Sequence, residues 1–244
     1  MKAMILAAGL GTRLRPLTNY KPKALVEVRD MPLLEIAIRR LKYFGFEDII
    51  INVHHFAERI IAFLDKNNRF DINIQVSDER DQLLDTGGGL KYASHFFDSG
   101  ESFLLCNTDI LSDIDLKVFY DHHVKSGAIA TLATRRRDTS RYLIFNDHQQ
   151  LHGWVNIKTG KMIACRHASQ NLNLMAFSGI HVIDPSLMQY MPDKKVFSII
   201  DVYLEVAAQH DILSYPHDGD FWLDVGKKDS LEKAEELAEK LTIL

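Results

Sequence analysis

The sequence contains only two cysteines in 244 residues, Cys106 and Cys165, and neither belongs to a Cys-x-x-Cys pattern. Two isolated thiols without a secretory context favour reduced cysteines over a disulfide framework or a thiolate metal site. No apolar run approaches the roughly 20 residues that a transmembrane helix needs. The first residues also read directly as a strand and not as a signal peptide. We therefore expect a soluble, cytoplasmic protein with no membrane partner.

An excess of positive charge is also missing, since 29 lysines and arginines face 33 aspartates and glutamates, for a net charge of -4 at pH 7. A net negative chain repels a polyanion, so we expect no nucleic-acid partner. Anionic substrates must then meet local clusters of cations. The eleven histidines show no metal-ligand spacing, because the neighbours in His54-His55 and His122-His123 point to different faces. We expect these histidines at sheet edges or on the surface.

Hydrophobic periodicity predicts alternating strands and helices in the first third of the chain. After a first strand that ends near Ala8, it predicts a helix at 32–44, a strand at 48–53, a helix at 56–67 and a strand at 72–76. This β-α-β-α-β order predicts an α/β fold with a parallel sheet and right-handed crossovers. The length suits one domain, or one domain with a small annex.

The rest of the chain continues this mixture of helices and strands. Helices are predicted at 115–126, 198–209 and 229–241, and strands at 102–106, 128–134, 142–146, 151–156 and 212–215. The strands at 142–146 and 151–156 flank a short polar turn and predict a hairpin.

The most informative segment is the end of the first strand and the loop that follows it, residues 4–23. The apolar run stops at Ala8, and Gly9 and Gly11 follow at once. Glycine lets a backbone approach phosphate groups closely, and N–H groups at such a strand end can turn toward a ligand. Four cations surround the same loop: Arg13, Arg15, Lys21 and Lys23. Backbone N–H groups that can turn toward a ligand, next to four cationic side chains, predict a site for a polyphosphate.

Two well-known phosphate-binding loops do not match this segment. A P-loop needs Gly-Lys followed by Ser or Thr, and that sequence does not follow these glycines. A dinucleotide-binding fingerprint needs a third glycine where this chain has Leu14. The structural alternative is a solvated basic turn after an ordinary strand.

The longer pattern L-A-A-G-L-G-T-R-L-R-P-L-T at residues 6–18, followed by Pro22-Lys23, resembles the signature of the sugar-1-phosphate nucleotidylyltransferases, or NDP-sugar pyrophosphorylases. The resemblance implies a Rossmann-like three-layer α/β/α fold with a mostly parallel, mixed central sheet. It implies that Arg13, Lys23 and Asp109 are catalytic. The nucleotide-binding residues that it implies in this loop are Leu6, Ala7, Ala8, Gly9, Gly11, Thr12, Arg13 and Lys23.

A second glycine-rich segment, Asp85-Thr86-Gly87-Gly88-Gly89, opens a predicted helix. Three successive glycines weaken a helix, so a purely structural role explains them poorly. The resembled family has a similar segment that contacts the nucleobase and ribose. This implies nucleoside-binding roles for Thr86, Gly87 and Gly88, and a flexible loop is the alternative.

Two aspartates stand where the resembled family holds Mg²⁺. Asp109 follows a predicted strand, and ligands of open α/β sheets bind beyond the carboxyl ends of strands. Asp224 lies in Trp222-Leu223-Asp224-Val225-Gly226, which resembles the family's W-x-D-x-G. Either aspartate alone also fits a turn or a cap, and the presence of both favours the metal. The chain departs from the family at Thr108, where glycine is usual, and this leaves the local backbone geometry open.

The resemblance also implies a sugar site in the second half of the chain. Phe177-Ser178-Gly179 loosely matches a family segment that contacts the sugar, and the implied substrate-binding residues are Asn173 and Gly179. A family Glu-Lys-Pro segment, whose lysine binds the sugar phosphate, is absent. Lys158, Lys161 and Arg166 remain open as substitutes. The arginines at 135–137 and 141 are predicted to form a solvated face.

These resemblances span nearly the whole chain and predict one nucleotidyltransferase domain, 1–244, with a nucleotide-binding half (1–127) and a sugar-phosphate-binding half (128–244). No hexapeptide-repeat domain is expected, since no such period appears. The implied reaction is Mg²⁺-dependent transfer of a nucleotidyl group from a nucleoside triphosphate to a sugar 1-phosphate, with release of pyrophosphate. The preferred substrates are UTP and N-acetylmuramate or N-acetylhexosamine 1-phosphate.

Three alternatives remain at this point. Two are enzymes, a mannose-1-phosphate guanylyltransferase and a cytidylyltransferase that acts on a non-sugar phosphate such as phosphocholine. The third is an inactive nucleotide-sugar-binding regulatory protein, against which the joint presence of Arg13, Lys23, Asp109 and Asp224 speaks. The sequence leaves the base, the sugar, and the choice between monomer and homodimer open.

Overall fold

The computed structural model describes residues 1–166 and 171–237. The α-helices in these residues are α1 (Leu33–Tyr43), α2 (Ala57–Lys66), α3 (Asp85–Tyr92), α4 (Leu116–Ser126), α5 (Ile199–Val206) and α6 (Lys228–Leu237). The strands are β1 (Lys2–Leu6), β2 (Glu27–Val28), β3 (Met31–Pro32), β4 (Asp48–Val53), β5 (Asn73–Asp78), β6 (Phe103–Asn107), β7 (Ile110–Ser112), β8 (Ala130–Arg135), β9 (Arg141–Asn146), β10 (Leu151–Asn156), β11 (Lys161–Ala164), β12 (Leu172–Ile183), β13 (Ile212–Pro216) and β14 (Trp222–Asp224).

These elements form two compact units, and the chain crosses between them more than once. The first unit contains Met1–Leu84, Leu105–Lys117 and the segment that begins at Asp220. The second contains Asp85–Leu104 and Val118–Gly219. The units therefore do not follow residue order, and the assignment of one substrate to each half of the chain stays a prediction.

The first unit contains the parallel sheet that the sequence predicts. β4 pairs in parallel with β1 and with β5, and β6 is next to β1 on its other side. Ile5 lies opposite Ile51, and both side chains are fully buried. Burial of both faces explains the continuous apolar runs of these strands. The predicted β-α-β-α-β order is confirmed, with α1 and α2 as its helices.

A small antiparallel pair in the first unit, β7 with β14, was not predicted. It places Asp224 opposite Ile110. A buried cluster packs against this region: Leu14, Val26, Val28, Leu33, Ile36, Leu111, Val225 and Ala234. Since Leu14 follows the glycine-rich loop and Val225 follows Asp224, this cluster fixes both segments in one core. Helix α6 matches the predicted helix at 229–241, whose last four residues lie outside the described residues.

The second unit is a mixed sheet with the strand order β11-β10-β9-β12-β8-β13. Its pairs are antiparallel except for β13, which runs parallel to β8. The predicted hairpin is confirmed as β9 and β10, and the predicted helix at 198–209 contains α5. The second unit therefore combines antiparallel pairs with one parallel pair, which agrees with the mixed sheet predicted for this α/β fold.

Some isolated polar residues differ from their expected positions. His123, expected at an edge or on the surface, is buried, and its Nδ1 lies 2.9 Å from the Thr131 hydroxyl oxygen.

Cys106 and Cys165 are free thiols, and burial raises the pKa of Cys106 to about 12. Within 1–166 and 171–237, no helix combines the length and the apolar character needed to cross a membrane.

Candidate functional site

The glycine loop, which we define as residues 6–13, begins at the end of β1. Its outer part is open, since a Cβ atom added at Gly9 would meet no atom of residues 1–166 or 171–237 within 4 Å. Gly11 has a φ of 63°, and a Cβ there would lie 2.9 Å from side-chain carbons of Thr18 and Lys23. The backbone thus needs glycine at position 11 for both its conformation and its close approach to Lys23.

The root of the glycine loop is held by two side chains that sequence analysis did not select as site residues. The Ala7 and Ala8 N–H groups donate to Asn52 Oδ1 at 2.7 and 3.3 Å. The Leu6 carbonyl oxygen accepts from the Thr108 hydroxyl at 2.6 Å and from the Thr108 N–H at 3.2 Å. These loop groups already have protein partners. The sequence signals were an asparagine inside the apolar run of β4 and a threonine at position 108, where the resembled family usually has glycine.

The predicted ionic residues of the first unit are brought together. Lys23 Nζ donates to Asp109 Oδ2, and both side chains are largely buried, at 17% and 12% exposure. Arg13 Nη2 lies 3.9 Å from Asp224 Oδ2, in a more exposed pair. Sequence analysis predicted each of these four residues for the site. Their convergence places two cations and two carboxylates in one cluster beside the glycine loop.

The two carboxylates also influence each other. Burial raises the pKa of Asp224, and the negative charge of Asp109 raises it further. The Val225 N–H donates to the Asp109 carbonyl oxygen at 2.9 Å, which ties the two segments together through the backbone. At Gly226 a Cβ would lie 2.6 Å from both Arg13 Nη2 and Asp224 Oδ1. Glycine at this position therefore makes room for the charged pair.

The donor set of this cluster suits a hard divalent cation such as Mg²⁺. Mg²⁺ prefers oxygen ligands and is often held by one or two carboxylates together with water and substrate phosphates. Asp109 and Asp224 supply two such carboxylates within one unit. No group of three or more His, Cys, Asp or Glu side chains in the described part of the chain is arranged to hold a metal. The two carboxylates thus fit a metal site whose other ligands come from substrate phosphates and water. They do not fit a site whose ligands all come from the protein.

The predicted nucleoside-binding residues lie on α3 in the second unit, where they also have structural contacts. The Gly87 and Gly88 N–H groups donate to the Phe197 carbonyl oxygen at 2.9 and 3.2 Å. A Cβ at Gly87 would lie 2.5 Å from the Phe197 ring. Thr86 Oγ1 accepts from the Ile199 N–H at 3.0 Å. Close packing therefore gives this glycine segment a structural role that sequence analysis underestimated, and its nucleoside role stays a prediction.

The predicted sugar-binding residues lie in β12. Gly179 has a φ of 75° and sits where the pairing of β12 with β8 shifts register between Phe177 and His181. Asn173 is half-buried, and its Nδ2 donates to Asp147 Oδ1 at 3.3 Å. A positive φ at this irregularity requires glycine for a conformational reason alone. The sugar-binding roles of Asn173 and Gly179 are therefore still predictions.

The basic side chains of the second unit differ in whether they already make hydrogen bonds within the protein. Arg166 donates to the Ala207 and His210 carbonyl oxygens at 2.5 and 2.7 Å. Its guanidinium group therefore already binds backbone carbonyl groups just after α5. Lys158 is exposed in the turn between β10 and β11, and Lys161 is exposed as the first residue of β11. Arg137, predicted on a solvated face, is half-buried instead, and its Nη2 donates to the Phe177 carbonyl oxygen at 3.1 Å.

Comparisons with known proteins agree on the family. A family model described as nucleotidyl transferase matches residues 2–240. The chain is 31% identical to the N-acetylmuramate alpha-1-phosphate uridylyltransferase of Neisseria meningitidis, over 98% of each chain. It is 30% identical to the UTP--glucose-1-phosphate uridylyltransferase of Synechocystis, with 93% of this chain covering 60% of that protein. The crystal structure of a putative glucose-1-phosphate thymidylyltransferase from Bacillus anthracis has the same fold, with a TM-score of 0.80 at 19% identity over 99% of this chain and 96% of that one.

Proposed function

Because the chain belongs to the nucleotidyl transferase family, we propose that it transfers a nucleotidyl group from a nucleoside triphosphate to a sugar 1-phosphate and releases pyrophosphate. The substrates that we expect are UTP and N-acetylmuramate 1-phosphate or another N-acetylhexosamine 1-phosphate. The end-to-end match to the Neisseria uridylyltransferase supports this choice. The Synechocystis relative supports uridylyl transfer less strongly, because the chain spans only 60% of its length.

The observation that carries the proposal is the convergence of Arg13, Lys23, Asp109 and Asp224 beside the glycine loop. Two polyanionic substrates repel each other, and cations must neutralise that charge before they can react. Phosphoryl transfer asks little covalent chemistry of a protein, so positioning and charge neutralisation supply much of the rate. A cluster of paired cations and carboxylates next to an open glycine backbone provides both.

Each cation has a distinct role in this proposal. Lys23, the more buried of the two, neutralises the α-phosphate that is transferred. Arg13 is more exposed and neutralises the β- and γ-phosphates that leave as pyrophosphate. The phosphate oxygen of the sugar 1-phosphate is already an anion at neutral pH. It therefore attacks without a strong general base, and we assign none.

Asp109 and Asp224 are the residues that would hold Mg²⁺. When bound, the ion supplies charge neutralisation and orients phosphate oxygens. The raised pKa of Asp224 reflects burial and the neighbouring Asp109 charge, and a divalent cation held by these residues would relieve that repulsion. Lys23 forms an ion pair with Asp109 in the same cluster. For Asp109 to bind the metal and Lys23 to bind a phosphate, this ion pair must separate.

The remaining substrate groups are assigned to the second unit. We place the base and ribose near Thr86, Gly87 and Gly88, and the sugar near Asn173 and Gly179. These assignments depend on the family resemblance more than on side-chain geometry.

The test is pyrophosphate release with Mg²⁺, in which UTP, GTP, CTP, ATP and dTTP are crossed with a panel of sugar 1-phosphates and phosphocholine. We expect the strongest signal with UTP and an N-acetylated amino-sugar phosphate. A signal with GTP and mannose 1-phosphate would keep the reaction and change the substrates, and one with CTP and phosphocholine would replace the sugar. Nucleotide binding with no release under any combination would contradict catalysis and favour the regulatory alternative.

A further inference from the structure

We propose that Asn52 and Thr108 are positioning residues that hold the root of the glycine loop from the two sides of β1 and thereby set the affinity for the nucleoside triphosphate. The inference rests on the proposed function, because it concerns the same nucleotide site. The side-chain hydrogen bonds described for Asn52 and Thr108 go to the backbone of residues 6–8 and to Glu79. They do not involve the four ionic residues. Both act through the backbone of residues 6–8.

Asn52 holds one side of the loop root. It lies in β4 with 3% exposure, and its Oδ1 accepts from the N–H groups of Ala7 and Ala8 at 2.7 and 3.3 Å. A buried polar side chain in an apolar strand is costly unless its hydrogen bonds are made. The two loop amides meet that requirement, so the asparagine and the loop conformation depend on each other.

Glu79 fixes which end of the Asn52 amide faces the loop. Asn52 Nδ2 donates to Glu79 Oε1 at 2.8 Å, and Glu79 Oε2 accepts from the Leu84 N–H at 3.4 Å. Since a carboxylate only accepts hydrogen bonds, it selects the NH₂ group and leaves the carbonyl oxygen for Ala7 and Ala8. Glu79 is itself 3% exposed, which keeps water from competing for the Asn52 amide.

Thr108 holds the other side. Its hydroxyl donates to the Leu6 carbonyl oxygen at 2.6 Å, in addition to the backbone N–H at 3.2 Å, and the residue is 4% exposed. Glycine, which is usual at this position in the resembled family, retains the N–H bond and cannot make the hydroxyl bond. Thr108 also directly precedes Asp109. The side-chain contact is therefore a feature of this chain that joins the loop root to the carboxylate segment.

The consequence is a pre-organised loop. Residues 6–8 are anchored on both sides, while the loop at Gly9 is exposed and has open space beside it. A binding loop that is already ordered loses less conformational entropy when its ligand arrives. Loosening either anchor should therefore weaken triphosphate binding and leave the sugar phosphate nearly unaffected. A general loss of folding would affect both substrates.

The experiment compares Thr108→Val, which removes only the hydroxyl, with Thr108→Ser, which keeps it. Asn52→Ala removes the second anchor. The matched control is Ser77→Ala, because Ser77 lies opposite Asn52 in β5 and its buried hydroxyl makes no hydrogen bond within the described residues. For each variant we would measure KM for UTP, KM for the sugar 1-phosphate, kcat, the Mg²⁺ concentration at half-maximal rate, and the melting temperature.

We expect Thr108→Val to raise KM for UTP by about tenfold, the effect of one lost hydrogen bond. Asn52→Ala removes the acceptor of two loop N–H groups and should raise KM for UTP by at least as much. KM for the sugar phosphate should change by less than about twofold, because the loop contacts only one of the substrates. Thr108→Ser should behave like the wild type, and so should Ser77→Ala. An unchanged KM for UTP in Thr108→Val, or equal increases for both substrates, would overturn the inference. A raised Mg²⁺ requirement with a normal KM for UTP would locate the effect at Asp109 instead and would also overturn it.

Calorimetric binding of the same triphosphates separates this inference from the proposed function. If the wild type binds a triphosphate and Thr108→Val binds it equally well, the positioning role fails while the proposed function stands. If the wild type binds none, both fail together. Weaker binding in Thr108→Val, restored in Thr108→Ser, supports the inference whichever sugar phosphate the enzyme uses.

Discussion

The glycine loop of the first unit has open space beside its backbone at Gly9, whereas Gly87 of α3 in the second unit packs tightly against a neighbouring side chain. Among the described residues, a Cβ at Gly9 would meet no atom within 4 Å, and one at Gly87 would meet the Phe197 ring at 2.5 Å. The two segments look alike in sequence, yet a ligand can approach the first, and the second is closed at Gly87 by its own packing. Glycine richness alone thus does not distinguish a binding loop from a tight helix contact.

The polar side chains of the two units also differ in whether a ligand can change their contacts. In the first unit, Lys23 and Asp109 form an ion pair next to the carboxylate of Asp224, an arrangement that ligands can redistribute. In the second unit, buried polar side chains pair with each other, as His181 Nδ1 does with the Tyr203 hydroxyl at 2.5 Å. We therefore expect substitutions in the first cluster to affect activity and those in the second unit to affect stability.

The largest effect should come from Asp109→Asn. Loss of a carboxylate that holds Mg²⁺ should lower kcat/KM by about a thousandfold, comparable to removal of a group that stabilises transition-state charge. Steady-state kinetics at saturating Mg²⁺ would measure this. Asp78→Asn is a matched control, because Asp78 is an aspartate at the end of the parallel strand β5 that pairs with a cation, Arg80, at the surface. Near-normal turnover in Asp109→Asn would remove the metal role from our proposal.

Gly87→Ala and Gly9→Ala test the comparison of the two glycine segments directly. Gly87→Ala should lower the free energy of unfolding by about 1–3 kcal/mol, because the added methyl group overlaps the Phe197 ring. Gly9→Ala should change stability by less than about 0.5 kcal/mol and instead raise KM for the nucleoside triphosphate. Urea unfolding and kinetics on both variants would decide this. The reverse pattern, a stable Gly87→Ala and an unfolded Gly9→Ala, would contradict the comparison.

Local patterns made much of this predictable from sequence. The β-α-β-α-β order follows from apolar periodicity within short windows, and the glycine loop, Asp109 and Asp224 follow from motifs of a few residues each. These led to the family that the comparisons confirm. The four ionic site residues were also predicted from the sequence, because together they match motifs of the resembled family.

What sequence did not predict depends on contacts between distant segments. Asn52 reaches the loop across 44 to 45 residues and Thr108 across 102. The β7–β14 pair joins three-residue strands more than 100 residues apart, too short to show a period. The tight packing of α3 depends on Phe197, which no local pattern connects with Gly87. Such partners become visible only when the chain is folded.

Acid should destabilise the second unit through its buried histidines. Burial lowers the pKa of His123 to about 4 and that of His181 to about 3, while an unfolded histidine titrates near 6.5. Below about pH 6.5 the unfolded state therefore binds more protons, and the free energy of unfolding falls as pH decreases, by up to about 1.4 kcal/mol per pH unit for each histidine. Glu79 and Asp224, in the first unit, have raised pKa values and act in the opposite direction.

Unfolding titrations between pH 7 and pH 5 would measure this slope. His123→Gln should remove the contribution of one histidine and make the dependence shallower, while His148→Gln, at an exposed turn position, should leave it unchanged. An identical slope in wild type and His123→Gln would show that His123 is not protonated on unfolding in this range.

The smallest effect, and the one that best separates the two roles of α3, is expected from Thr86→Val. Valine keeps the shape of threonine but leaves the Ile199 N–H without its acceptor, which should cost about 1 kcal/mol of stability. Thr86→Ser keeps the acceptor and should retain that stability. If Thr86 is purely structural, KM for the nucleoside triphosphate stays unchanged in both variants. If the hydroxyl also binds the nucleoside, KM rises in Thr86→Val and recovers in Thr86→Ser, and the second glycine segment would then belong to the nucleotide site together with the first.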